Sequence, residues 1–220
     1  MILTGDLGVQ VMQILRLMYP DATCTLEHLD PWQLMVGAIL AAQCTDARVN
    51  QITPALFSRF PDAAAMALAS QTEVEILVHS CGLFRNKARA IIAASRTIIE
   101  QHDGMMPENL EALLKLPGVG RKIANLILGD SFGMPAVVVD THCARISRRI
   151  GLTDRDDSPG IEQDLMKVLP RPDWTDYGHL VVTHGRTRCL ARQPQCGVCS
   201  LAPLCRYAND LMSAYGGGHA

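Results

Sequence analysis

Four cysteines crowd into one short stretch near the end of the chain. Residues 189–205 read CLARQPQCGVCSLAPLC, a C-x6-C-x2-C-x5-C pattern with two prolines and a glycine that bend the chain between the thiols. Zinc sites usually show two C-x2-C pairs, and the cysteine spacing of bacterial ferredoxins is tighter than this one. The pattern predicts a metal ion or a metal cluster, and its candidate ligands are Cys189, Cys196, Cys199 and Cys205.

A second unusual stretch, LPGVGRK at residues 116–122, lies between two segments with helical spacing of apolar residues. Gly118 and Gly120 allow a tight turn with positive φ and the close approach of another backbone. Backbone N–H groups at such a turn, and at the start of the next helix, can bind an anion. Gly118, Val119 and Gly120 therefore predict a hairpin between two helices that holds a DNA phosphate. The alternative is an ordinary connection between two helices.

Lys122 follows this turn at the start of a predicted helix, where the helix macrodipole disfavours a cation. An environment that disfavours the ammonium favours the neutral amine, which is the nucleophilic form of lysine. Lys122 is thus a candidate nucleophile, with a phosphate-contacting surface lysine as the alternative. Asp140 stands 18 residues further on, before a helix predicted to begin at Thr141. It is a candidate for stabilising positive charge in a reaction, and alternatively a helix N-cap.

The elements that must position these residues are helices. The chain is 48% hydrophobic but only 5% aromatic, and glycine and proline separate its apolar segments. One helix is expected to begin at Pro31 with Asp30 as its N-cap, and to be buried because its residues are almost all apolar. Only PAVVVD, residues 135–140, resembles a strand, and it is too short to form a sheet. Further helices are predicted over 3–19, 46–59, 71–79, 85–101, 108–115, 121–131, 141–150, 160–169 and 175–187.

The charge distribution is more informative than the net charge of −2, which is not typical of a nucleic-acid-binding protein. Basic residues cluster in RNKARAIIAASR (85–96), ARISRR (144–149) and GRTRCLAR (185–192). Each cluster could be a solvated helix face, but together they favour a local phosphate-binding surface. No apolar run reaches the roughly 18 residues of a membrane span, and the first residues lack the features of a signal peptide. A cytoplasmic protein without a membrane partner is expected.

The segments LPGVGRKIAN, VDTH and the four-cysteine stretch together resemble the endonuclease III family of the helix–hairpin–helix DNA glycosylase superfamily. AAQCTD at 41–46 and CGLFRNKA at 81–88 are also similar to segments of that family. The resemblance runs over nearly the whole chain. It implies an all-α, two-domain architecture. Residues 24–134 would form a six-helix barrel that contains the hairpin, and residues 1–23 with 135–220 would form a domain that holds a 4Fe-4S cluster on the four cysteines.

The resemblance also implies a function. It is that of a base-excision-repair DNA glycosylase that removes oxidised or ring-saturated pyrimidines from duplex DNA, with an AP lyase activity that cleaves the strand through a lysine Schiff base. Lys122 would be the nucleophile and Asp140 the essential carboxylate, while Gln43 and Leu83 would fill the duplex where the damaged base is extruded. The partner would be duplex DNA with damaged pyrimidines or abasic sites, bound by a monomer at the bacterial nucleoid. Further expected phosphate contacts are Lys87, Arg148, Arg186 and Arg192.

Two alternatives stay open at this point. An adenine-mismatch glycosylase shares the hairpin and the cluster, but that group lacks a lysine at the position of Lys122. A non-catalytic DNA-binding or electron-transfer module would not need both Lys122 and Asp140. The role of the cluster is also open, between redox sensing on DNA and the ordering of a loop that contains Arg192.

Overall fold

The computed structural model describes residues 4–216, which form twelve α-helices and no β-strand. The predicted all-α fold class is confirmed. The chain divides into two compact units, residues 24–134 and residues 1–23 with 135–220, of which residues 1–3 and 217–220 lie outside the described range. In that range no helix combines the length and the apolarity that a membrane crossing requires.

The unit of residues 24–134 is organised around one buried helix. Helix α2 begins as predicted: the Asp30 side chain accepts a hydrogen bond from the backbone N–H of Gln33 at 2.8 Å, and Pro31 is the first helical residue. Every residue from Trp32 to Leu40 is buried, and the helix packs against α3, α6 and α8. The helices of this unit are α2 (Pro31–Leu40), α3 (Asp46–Arg59), α4 (Ala63–Ala67), α5 (Gln71–Val78), α6 (Phe84–Gln101), α7 (Leu110–Lys115) and α8 (Arg121–Phe132).

The other unit joins the two ends of the chain around a second core. Helix α1 (Thr4–Met18) packs against helices from the C-terminal part, with Val11, Met12 and Leu15 fully or almost fully buried. The remaining α-helices are α9 (Thr141–Ile150), α10 (Ser158–Val168), α11 (Trp174–Thr187) and α12 (Arg206–Gly216). Short 3-10 helices lie at Arg171–Asp173, Cys196–Val198 and Ala202–Leu204.

The structure differs from the sequence-based expectation at three places. Helices α4 and α12 were not predicted, because five residues carry little periodicity and α12 follows directly on the cysteine segment. The strand-like PAVVVD forms no strand: residues 133–140 have no regular secondary structure, and Val137–Val139 are buried against helices instead. A strand forms only where it pairs with a second strand, and the described residues contain no other strand.

Candidate functional site

The predicted hairpin is formed by α7, α8 and the five residues between them. Gly118 has a φ of +81°, and a Cβ atom at this position would lie 2.9 Å from the Cβ of Ala90. Both the left-handed backbone and the close approach of α6 therefore require glycine here. The side chain of Val119 is buried and anchors the turn in the core. Gly120, by contrast, has a φ of −89°, and a Cβ atom there would meet no atom within 4 Å.

The helices of residues 24–134 begin in two different ways. Five of them start with a side chain that accepts a hydrogen bond from the first turn, and these caps are Asp30, Thr45, Asp62, Ser70 and Asn109. Helices α6 and α8 have no such cap, because their N-cap residues are Leu83 and Gly120. Uncapped N–H groups at a helix start can donate to an anion. The two helices that begin at predicted DNA-contacting residues are thus the two with uncapped starts.

Lys122 is the second residue of α8 and is exposed. Within residues 4–216 its ammonium makes no hydrogen bond or ion pair. Among the described residues, its charge is therefore not compensated by a partner, and the space beside the neighbouring Gly120 is open. Lys122 lies in the unit of residues 24–134, whereas the second candidate catalytic residue, Asp140, lies in the other unit.

Asp140 is half-buried and is the N-cap of α9. Its Oδ1 accepts a hydrogen bond from the backbone N–H of Cys143 at 2.7 Å. Cys143 is fully buried, so this bond fixes the carboxylate to the start of a helix that is anchored in the core. The structure therefore shows that Asp140 caps α9, which was the alternative role considered from the sequence. It leaves Oδ2 free for a second role, since no hydrogen bond to Oδ2 occurs within the described residues.

Gln43 and Leu83 share a rare backbone conformation. Their φ angles are +54° and +58°, and only one other non-glycine residue in the described range, Asp103, has a positive φ. Both side chains are exposed, and Leu83 presents 58% of its surface. A left-handed, exposed leucine is costly in the backbone and gains nothing from burial. Such strain is typical of functional positions.

The loops that carry these two residues touch each other. The sulfur atoms of Cys44 and Cys81 are 3.6 Å apart, and a Cβ atom on Gly82 would lie 4.0 Å from the carbonyl oxygen of Gln43. Burial raises the pKa of the Cys81 thiol to about 11, so Cys81 stays protonated near neutral pH. Residues 41–45 and 80–83 therefore form one local surface.

The structure places Lys87 away from the position expected of a phosphate contact. The residue is only 4% exposed, and its Nζ donates a hydrogen bond to the carbonyl oxygen of Leu40 at 2.9 Å. This burial was not predicted, because Lys87 belongs to the same basic cluster as Arg85 and Arg89, both of which are exposed.

The four cysteines of the C-terminal segment line one cavity. Apolar side chains complete its wall, and among them are Ile146, Ile150 and Leu201. In the described part of the chain, no three His, Cys, Asp or Glu side chains are close enough to hold a metal ion. The four thiols therefore surround a common space. Burial raises the pKa values of Cys196, Cys199 and Cys205.

Two arginines of the ARISRR cluster support this segment and were not recognised from the sequence. Arg149 donates to Cys189 Sγ at 3.3 Å and to the carbonyl oxygen of Leu190 at 2.8 Å. Arg145 donates to the carbonyl oxygen of Cys189 at 3.0 Å. Their spacing of four residues places both on one face of α9, which was the available signal. Arg148 lies on another face and forms an ion pair with Asp156.

His184 was also missed and lies at the same cavity. Burial lowers its pKa to about 4, so the ring is neutral near neutral pH. Its Nδ1 lies 2.9 Å from the hydroxyl of Tyr19, and its Nε2 lies 3.8 Å from Cys199 Sγ. The predicted phosphate contacts Arg186 and Arg192 are both exposed, at the end of α11 and within the cysteine segment.

Comparison with known proteins identifies the family. The model of the HhH-GPD superfamily of base excision DNA repair proteins matches residues 36–171, which is more than half of the chain. The chain belongs to the HhH-GPD superfamily. The family predicted from the sequence is therefore confirmed, and the hairpin of α7 and α8 is the helix–hairpin–helix of this HhH-GPD protein.

The relatives are similar over almost their full length. Endonuclease III of Synechocystis sp. is 52% identical over 199 residues, which cover 90% of this HhH-GPD chain and 91% of the relative. A solved structure of a non-covalent endonuclease III–DNA complex has a TM-score of 0.90 and 38% identity, and covers 97% of this chain and 100% of its own. A trapped endonuclease III–DNA covalent intermediate has a TM-score of 0.89 at 38% identity, covering 96% and 100%.

Proposed function

We propose that this HhH-GPD protein is a bifunctional DNA glycosylase and AP lyase that removes oxidised or ring-saturated pyrimidines from duplex DNA. The observation that carries the proposal is the placement of Lys122. Within residues 4–216 it is an exposed lysine with no hydrogen bond or ion pair, in the first turn of an uncapped helix directly after the Gly-Val-Gly turn. A similar enzyme has been trapped as a covalent intermediate with DNA, which supports a mechanism through a covalent bond.

The chemistry follows from an amine at this position. The neutral amine of Lys122 attacks C1′ of the damaged nucleotide, and the base leaves with the electrons of the glycosidic bond and takes up a proton. The sugar ring opens to give an imine on Lys122. Loss of a proton from C2′ then expels the 3′ phosphate, so the strand breaks on the 3′ side of the lesion. Water hydrolyses the imine and releases the lysine.

Asp140 stabilises the positive charge that develops on the sugar while the base departs. Its cap to Cys143 fixes the carboxylate without using Oδ2. A preorganised carboxylate needs no rearrangement when the charge appears, which is the condition under which electrostatic stabilisation is effective.

Duplex DNA containing damaged pyrimidines or abasic sites is the proposed partner of the protein. The hairpin N–H groups and the exposed Arg186 and Arg192 contact phosphates, and Gln43 and Leu83 enter the space left by the extruded base. Arg148 can join them only by leaving its ion pair with Asp156. One chain supplies every group that the reaction needs, so the protein acts as a monomer, on DNA in the cytoplasm.

The cysteine segment is proposed to hold a 4Fe-4S cluster. The donor set consists of four thiols that line one apolar cavity, and the guanidinium of Arg149, which donates to Cys189 Sγ, complements an anionic centre. When bound, the cluster supplies a rigid link across residues 189–205 and a centre able to exchange an electron. On this basis residues 1–23 with 135–220 form the iron–sulfur domain. Residues 24–134 form the barrel domain, in which the six predicted helices are joined by the short α4.

Borohydride trapping tests the proposed nucleophile. Reduction of the imine should link the wild-type protein covalently to duplexes that contain thymine glycol or an abasic site. Lys122→Gln should abolish trapping and keep damage-dependent binding. Lys167→Gln, which removes an exposed lysine of α10, is the matched control and should trap like the wild type. Trapping of Lys122→Gln at wild-type levels would assign the chemistry to another amine. Excision of adenine from mismatches, without trapping, would indicate the adenine-mismatch alternative.

A further inference from the structure

Lys87 is a buried cation with one defined partner. Its side chain is 4% exposed, and its Nζ donates to the carbonyl oxygen of Leu40. Leu40 is the last residue of α2, where carbonyl groups lack helical N–H partners and the helix dipole is negative. A buried ammonium is unfavourable unless such a partner compensates it. The position of Lys87 is therefore tied to the end of α2.

The backbone of the same residue is tied to Leu83. The N–H of Lys87 donates to the carbonyl oxygen of Leu83 at 3.1 Å, which closes the first turn of α6. Lys87 therefore contacts both segments. Its backbone holds the left-handed Leu83, and its side chain holds the end of α2, three residues before the left-handed Gln43. The contact of Cys44 with Cys81 joins the same two loops at a second point.

We infer that Lys87 is a positioning residue that fixes the spacing of Gln43 and Leu83 for insertion into DNA. The inference rests on the proposed function, in which these two side chains fill the duplex when the damaged base is extruded. Burial of the ammonium argues against Lys87 as a surface cation that contacts a phosphate. Two side chains that enter one gap must be held at a defined separation, and a displacement of about 1 Å can lower a rate by roughly 100-fold.

The test compares a reaction that requires base extrusion with one that does not. Excision of thymine glycol from duplex DNA requires extrusion, whereas cleavage of an abasic site in a single strand does not. Under single-turnover conditions, Lys87→Met should lower duplex excision by roughly 10- to 100-fold and single-strand cleavage by less than about threefold. The fluorescence of 2-aminopurine beside the lesion should rise on binding of the wild type and stay low with the variant.

Two further variants keep the test decisive. Lys87→Arg retains the charge and hydrogen-bond donors, and should recover most of the duplex excision even if Lys87→Met folds poorly. Arg85→Met removes an exposed cation from the same turn of α6 without touching α2, and should change both reactions by the same factor.

Three results would overturn the inference. These are wild-type behaviour of Lys87→Met, an equal loss of both reactions with a lowered melting temperature, and a reduced salt dependence of binding with normal 2-aminopurine fluorescence. The last would make Lys87 a phosphate contact. An inactive wild-type protein would instead overturn the proposed function, and the inference with it.

Discussion

The carboxylate of Asp140 accepts a hydrogen bond from the backbone N–H of Cys143 at 2.7 Å, so the proposed catalytic group is also a structural one. The residue is the N-cap of α9, and Cys143 belongs to the buried core beneath that helix. The two roles can be separated by substitutions that keep or remove the cap.

Asp140→Asn should separate the cap from the catalysis. Asparagine caps helices about as well as aspartate, so the melting temperature should change little. Loss of the negative charge should lower excision of thymine glycol by about 100-fold, the usual scale for one electrostatic stabiliser. Cleavage of a preformed abasic site should fall less, because it starts from an aldehyde and depends mainly on Lys122. Equal loss of both steps, together with a lower melting temperature, would leave Asp140 as a cap only.

Gly118→Ala and Gly120→Ala form a matched pair within the hairpin. At Gly118 a Cβ atom would lie 2.9 Å from Ala90 on a backbone with φ of +81°, so the free energy of unfolding should fall by about 1–3 kcal/mol. At Gly120 the Cβ atom meets nothing in the protein, so stability should be retained. DNA affinity should instead fall by about 10-fold or more, because the methyl group would occupy the space proposed for the phosphate. Denaturant unfolding and fluorescence anisotropy measure the two effects. Unchanged affinity of Gly120→Ala would contradict phosphate binding at this turn.

Arg149→Gln and Arg148→Gln test which arginine supports the cysteine segment. The purified protein should contain about four iron and four sulfide per chain. Arg149 contacts Cys189 and Leu190, so its replacement should weaken cluster retention by about 10-fold or more during dialysis against a chelator. Arg148 pairs with Asp156 and should affect DNA affinity only. Stoichiometric zinc without sulfide in the wild type would refute the cluster.

Tyr177 should make the stability of its unit fall as the pH becomes alkaline. Its hydroxyl lies 2.7 Å from Ser147 Oγ, and burial raises its pKa well above the ordinary value. The unfolded chain therefore loses this proton first, at about pH 10. The stability that Tyr177 contributes is complete below that pH and is lost as the pH rises above it, by up to ~1.4 kcal/mol per pH unit. Tyr177→Phe should cost about 1 kcal/mol at pH 8 and flatten the loss between pH 10 and 11. Parallel stability curves for the two proteins would show that Tyr177 does not titrate in this way.

Local chemistry in the sequence determined much of this protein. Asp30 with Pro31 marked the start of α2, and Asp140 marked the start of α9, because capping involves residues only three positions apart. The continuous apolar run after Pro31 predicted a buried central helix, because a helix that is apolar on all sides must be covered on all sides. The four-cysteine spacing and LPGVGRK indicated a metal segment and a phosphate-binding turn because their functional groups are close along the chain.

Only the tertiary structure decided which charged residues serve the fold. Lys87 belongs to a basic cluster, yet it is buried because the carbonyl end of α2, 47 residues earlier, lies over it. Arg149 supports a segment about 40 residues later in the chain. The loops that contain the left-handed Gln43 and Leu83 likewise meet through Cys44 and Cys81, which are 37 residues apart in the chain. Such contacts are set by the packing of distant helices, and the residues near each position in the sequence carry no record of them.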